Sequence, residues 1–126
     1  MKSVLAFARA CASAALALAL LPAAAQDITP GKYVHQEFSH VSQAAFDANG
    51  RGLVTRGSRD GRVDTIMRFT WRLEGGKLHQ RDIAFTQDTR TWTPAPDTAI
   101  EIRNITPESF ELNRMDGGWT KWTRER

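Results

Sequence analysis

The longest regular pattern in the chain is an alternation of apolar and polar residues over positions 62–74. Val63, Thr65, Met67, Phe69, Trp71 and Leu73 share one parity, and Arg62, Asp64, Arg68, Thr70, Arg72 and Glu74 share the other. Ile66 is the one clear mismatch. A period of two over this length predicts a strand with one buried and one solvated face. Asp60-Gly61 precedes the strand and Gly75-Gly76 follows it, and both pairs are hairpin-turn chemistry. The segment therefore reads as the long middle strand of an antiparallel meander.

Shorter segments on either side carry the same grammar. Positions 32–39 predict a first strand, with Tyr33, His35 and Glu37 on one face and Val34, Gln36 and Phe38 on the other; residue type leaves either face open to burial. Positions 40–46 fit a second strand or one helical turn. Asp47-Ala48-Asn49-Gly50 is a strong turn signal, followed by a short strand over 51–56 and a turn over 57–61. The return strand covers 77–86. Ile83 and Phe85 lie on one parity there and Leu78 on the other, which predicts a bulge near Gln80-Arg81-Asp82. Positions 87–97 hold Pro94 and Pro96 and no period, so they read as the longest loop, centred on Trp92. Strands follow at 98–103 (Ile100 and Ile102 inward), 109–114 (Phe110 and Leu112 inward) and 119–125. Seven or eight short strands and no helix predict an all-β fold, a sandwich or a closed barrel. A single antiparallel meander barrel of about eight strands is the preferred form, because closure removes the sheet edges.

The N-terminus changes what composition means. Lys2, the Ala/Leu run over 10–21, Pro22 and Ala23-Ala24-Ala25 form a cleavable export signal over 1–25, leaving one domain over 26–126. The apolar run falls short of the ~20 residues of a comfortable membrane span, so stable membrane insertion is not expected. Cleavage of 25 residues from 126 leaves 101 and takes Lys2 and Arg9, so 15 of the 17 basic residues remain against 14 acidic ones. Near-neutral charge argues against nucleic acid as a partner. The only cysteine, Cys11, leaves with the signal. The product is expected to be periplasmic or secreted, without disulfides, its oligomeric state open.

Three local sequences then suggest a relationship: Gly31-Lys32-Tyr33 at the first strand, Trp71-Arg72-Leu73-Glu74-Gly75-Gly76-Lys77-Leu78 at the central hairpin, and Trp122-Thr123-Arg124 at the end. Together they resemble the motifs of bacterial lipocalin-like (calycin-type) barrel domains, over roughly 31–126. Tyr33 stands where that superfamily has Trp, and the helix that follows the barrel in longer members has no counterpart. The resemblance implies that Arg124 stacks across Tyr33 and closes the barrel floor, a cation–π contact worth ~0.5–2 kcal/mol. It also implies a barrel of the kind that binds small apolar molecules.

The candidate ligand-binding wall is Met67, Phe69, Trp71, Phe85, Phe110 and Leu112, around a small apolar or amphipathic ligand. At eight strands the interior is just wide enough either to hold one such ligand or to be filled by these side chains. In the filled case the barrel would be a protein-interaction or inhibitor-like module, acting through its loops and through an arginine-rich face (Arg51, Arg56, Arg59, Arg62, Arg68 and Arg72). That stripe could meet anionic lipid, polysaccharide or an acidic partner, although Asp60, Asp64 and Glu74 are interleaved with it. His35, Glu37, His40 and His79 lack the convergence a zinc site needs, so no metal or cofactor is expected. Without a nucleophile–base arrangement or a phosphate-cradling loop, no catalytic residues are assigned and the chain is not expected to be an enzyme. Trp92, Trp119 and Trp122 are candidates for an aromatic rim.

Overall fold

A computed structural model describes residues 27–126; the expected signal over 1–25 lies outside them. The strands are β1 (Gly31–Gln36), β2 (His40–Phe46), β3 (Arg51–Ser58), β4 (Val63–Glu74), β5 (Lys77–Thr86), β6 (Thr93–Ala95), β7 (Thr98–Arg103), β8 (Ser109–Asn113) and β9 (Trp119–Arg124). No helix occurs among the described residues. Each main strand pairs antiparallel with its successor, β5 pairs with β7, and β9 returns to β1. The result is a closed eight-stranded meander barrel, with β6 as one extra strand laid on the far half of β5.

Of the two alternatives for the segment 40–46 it is the strand that forms, because β1 and β3 saturate it with partners on both sides. The expected long loop contains β6, where Pro94 is paired with Ala84 on a strand with no neighbour beyond it. Proline is tolerated in such an edge position, where a missing N–H breaks no ladder.

The bulge falls where the parity conflict predicts it. Arg68 opposes Ala84 and Thr70 opposes Arg81, so Phe69 alone faces both Asp82 and Ile83. Asp82 takes a positive φ of 51°. The extra residue lets Leu78 before it and Ile83 after it both turn into the barrel, where each is buried.

The core is an aromatic cluster toward one end of the barrel. Phe46 makes edge contacts with Tyr33, Phe69, Trp71 and Phe110 at ring-centre distances of 6.1, 6.0, 5.3 and 5.8 Å. Tyr33 meets Phe110 at 4.8 Å, and Ile28, Leu78, Ile83 and Ile102 complete the cluster. Gly52 makes the packing fit: it pairs with Phe69 across β3 and β4, and a Cβ on it would overlap the Phe69 ring.

Gly52→Ala is therefore expected to cost about 1–3 kcal/mol by overpacking, read from the urea unfolding midpoint. In a Phe69→Leu background the same change should cost measurably less, since the two residues share one volume. An additive double mutant would refute the contact.

Candidate functional site

The barrel floor is built on Tyr33, which is fully buried and donates its hydroxyl to the Thr29 carbonyl at 2.5 Å. Arg124 is its cross-strand partner. The Arg124 guanidinium lies against the Cα of Gly31, where a Cβ would come within 3.0 Å of it, and Nη1 donates to the Pro107 carbonyl at 3.4 Å. The expected stack of Arg124 on Tyr33 is not formed. Phe46 and Phe110 pack on the Tyr33 ring, and the cation–π contacts of the described residues are Arg68 with Trp92 and Arg103 with Trp119. Tyr33 and Arg124 are thus neighbours coupled by charge. Burial pushes the Tyr33 phenol above its ordinary value, and the adjacent Arg124 charge offsets part of that rise.

Because the folded state holds this proton more tightly than the unfolded chain, stability is retained below about pH 10 and falls as pH rises from there through the raised folded value. Chemical denaturation at increasing alkaline pH should show this loss. Tyr33→Phe should remove most of its slope, and an unchanged alkaline profile in that variant would rule out Tyr33 as its source.

The six residues assigned to a ligand wall are divided between the packed aromatic cluster and the more open part of the lumen. Phe69 and Phe110 are buried members of the aromatic cluster. Met67, Trp71 and Leu112 pack half-buried against it, and Trp71 donates its indole N–H to the Arg51 carbonyl at 3.0 Å. Phe85 departs furthest. It pairs with Met67 but is 38% exposed, one residue from the end of β5 where the barrel opens.

Along the axis the lumen changes character. The register sets Tyr33, Ala44, Val54 and Met67 in one inward row across β1 to β4. Two residues further along the strands, the next inward row is His35, Ser42, Arg56 and Thr65. This second row is polar and none of it is fully buried. Glu37 stands between its members, 3.7 Å from both the His35 ring and the Arg56 guanidinium. His35 also packs against Trp122 at 5.5 Å. The other histidines stand apart: the His40 ring bonds Ser39 Oγ, and the His79 ring bonds the Glu74 carbonyl. No group of three metal-ligating side chains occurs among the described residues. Sequence reasoning missed this polar row, whose members come from four strands and meet only through register.

A concavity of about 610 Å³ opens on the outside of the sheet, across β1 to β5. Register again defines it. Lys32, Ala45, Leu53 and Arg68 form an outward row, alternating with the inward positions on each strand. Asp47, Arg51, Thr70 and Asp82 line its other side. Leu53 is 41% exposed at its centre. Trp92 from the β5–β6 connection sits 4.2 Å from the Arg68 guanidinium and fixes it over this face. The two acids are engaged locally: Asp47 accepts the Arg51 amide N–H at 2.8 Å and Asp82 accepts from Thr70 at 3.5 Å. Lys32, Arg51 and Arg68 form no ion pair among the described residues. The three tryptophans of the expected rim disperse, with Trp92 outside, Trp119 under Arg103, and Trp122 stacked on Phe110 at 6.3 Å.

These features define a class: a small closed all-β meander barrel, dry and aromatic at one end, polar at the other, with a cation-edged groove on its outer wall. Comparison with protein-family models, with characterised proteins and with solved structures returned no match.

Proposed function

We propose that this chain is a lipocalin-like barrel that binds a small amphipathic anion, and that it binds it on the outer wall and not in the lumen. The observation that carries the reading is the groove itself. An apolar floor at Ala45 and Leu53 is edged by Lys32, Arg51 and Arg68, none of which has a carboxylate partner among the described residues. Its volume lies in the ordinary range of small-molecule sites, which combine an apolar lining with a few charged groups that fix orientation. The aromatic cluster favours the filled form of the barrel, and Arg51 and Arg68 belong to the arginine-rich face singled out in the sequence. Binding without chemical transformation fits the residues around the groove, which supply charge and apolar surface and no nucleophile–base pair. Export to the periplasm or medium remains part of the proposal and rests on the sequence of residues 1–25.

A second reading keeps the ligand in the lumen. Val54, Met67, Leu112 and Trp122 face inward and are only half-buried, so the open end forms a shallow cup above the aromatic cluster.

Native mass spectrometry of the processed protein with dodecanoate, and with dodecylammonium as the control of opposite charge, separates the two. The groove reading expects an adduct with dodecanoate alone. Arg51→Glu with Arg68→Glu should weaken it at least about tenfold, since both exposed cations are reversed. Leu112→Trp, which fills the cup, should leave it unchanged. Loss of the adduct in Leu112→Trp but not in the arginine variant would transfer the site to the lumen.

A further inference from the structure

Three turns of this chain place a glycine directly after an Asn or Asp: Asn49-Gly50, Asp60-Gly61 and Asp116-Gly117. At such pairs the backbone nitrogen of the glycine can attack the preceding side chain, because glycine puts no side chain around that nitrogen. The structure separates the three. Asp60 accepts the Ser58 hydroxyl and the Arg62 amide, and Asp116 accepts the Arg114 guanidinium at 2.6 Å and the Gly118 amide at 3.1 Å. These donors hold both carboxyls below their ordinary value, so at neutral pH both are carboxylates, which resist a nucleophile. Asn49 carries a neutral carboxamide and has no such protection. The other asparagines are shielded in different ways: Asn104 is followed by the β-branched Ile105, and the half-buried Asn113 is paired with Trp119 in the β8–β9 ladder.

Asn49 is exposed in the β2–β3 turn, and Gly50 follows it in the left-handed region at a φ of 88°. The Gly50 N–H, whose nitrogen would attack, reaches the Asp47 carbonyl only at 3.3 Å, against 3.0 Å for the bond from Asp47 N–H to the Arg51 carbonyl that closes the hairpin. The Asn49 carboxamide donates from Nδ2 to Asp47 Oδ2 at 2.9 Å. Asp47 Oδ1 accepts the Arg51 amide at 2.8 Å. On its other side the turn supports the core: the Gly50 carbonyl accepts the Trp71 N–H at 2.8 Å, and the Arg51 carbonyl accepts the Trp71 indole at 3.0 Å. One tight turn therefore combines a reactive pair, an edge of the groove and the anchorage of Trp71.

We propose that Asn49 is a spontaneous modification site, whose conversion to aspartate and isoaspartate loosens the Trp71 end of the barrel and weakens anion binding in the groove. The Gly50 nitrogen gives its proton to hydroxide and forms a bond to Asn49 Cγ. The Cγ–Nδ2 bond breaks, Nδ2 takes a proton from water and leaves as ammonia, and a cyclic imide remains. Water then opens the ring. Attack at the side-chain carbonyl gives isoaspartate or aspartate according to which carbon–nitrogen bond breaks, and in isoaspartate the main chain runs through the former side chain. The sum is carboxamide and water to carboxylate and ammonium, with no oxidant consumed. Both products set a carboxylate against Asp47 where a donor had been, beside Arg51 at the groove edge. Isoaspartate also inserts a carbon into the main chain of a turn already bonded to both Arg51 and Trp71. The effect on the groove rests on the function proposed above; the modification and its effect on the fold do not.

The test is storage of the processed protein in warm, mildly alkaline buffer, followed by peptide mass mapping. A carboxylate should replace the carboxamide at Asn49 and at neither Asn104 nor Asn113, faster as pH rises. The urea midpoint of the stored protein should fall and that of stored Asn49→Ser should hold. Asn49→Asp, which has the charge without the added carbon, should lie between them. Dodecanoate binding should weaken about twofold to fivefold in the stored protein and in Asn49→Asp, the size of one exposed charge interaction. A carboxamide that survives at Asn49 under conditions that convert a synthetic peptide of residues 46–51 would overturn the proposal, since the fold would then protect the site. Complete conversion with an unchanged urea midpoint would overturn it as well, and so would converted protein that binds dodecanoate as tightly as fresh protein. Fresh protein with no affinity for dodecanoate would count against the groove alone, and the midpoint would still decide the modification.

Discussion

Phe46 holds the two walls of the barrel together. Its ring, at the end of β2, meets Tyr33 from β1, Phe69 and Trp71 from β4, and Phe110 from β8. An eight-stranded barrel has only a side chain's width of interior at each level, and here rings from four strands pack edge to face in that space. Once they are in place there, the pairing of β1 with β9 and of β4 with β5 follows, because closure is what brings those rings within reach of one another. Gly52 belongs to the same constraint. It gives up a side chain so that the Phe69 ring can lie over its backbone.

The packed rings leave no room for a ligand among them, and the proposed binding is accordingly set on the outer wall, with the open mouth as the second reading. On the wall Lys32, Leu53 and Arg68 have no part in the aromatic cluster, whereas at the mouth His35 packs on Trp122, which stacks on Phe110. Substitution of the wall side chains Lys32 and Arg68 is thus separate from the packing that maintains the fold, and substitution of His35 is not.

Much of the architecture was legible in the sequence because it is written in local signals. The alternation in β4, the hairpin turns that bound it and the parity conflict at Asp82 each depend on a few consecutive residues. The three-residue β6 was not legible, since its pairing with β5 is made across a loop with no period. The site was hardly legible at all. The parity of β4 places Phe69 and Met67 on one face, but nothing local says that Phe69 is locked among rings while Phe85 stands near the opening. The row His35, Ser42, Arg56 and Thr65 draws one residue from each of four strands, and so does the row Lys32, Ala45, Leu53 and Arg68. Such rows come into being with register. Arg124 is paired with Tyr33 across β1 and β9, but the contacts on the Tyr33 ring are made by Phe46 and Phe110, which no local sequence signal announces.

The bulge at Asp82 gives β5 a divided allegiance. Its first half serves β7 and its second half carries β6, and the bulge absorbs one supernumerary residue so that both halves face the same interior. Residue 82 is the one residue of β5 that the ladder does not count: without it Arg68, Phe69 and Thr70 would face Ala84, Ile83 and Arg81 in unbroken alternation, with Leu78, Gln80, Ile83 and Phe85 still turned inward. Among descendants of this chain, variation in the length of β5 should therefore collect at position 82, where one residue can be lost without turning either half of the strand outward.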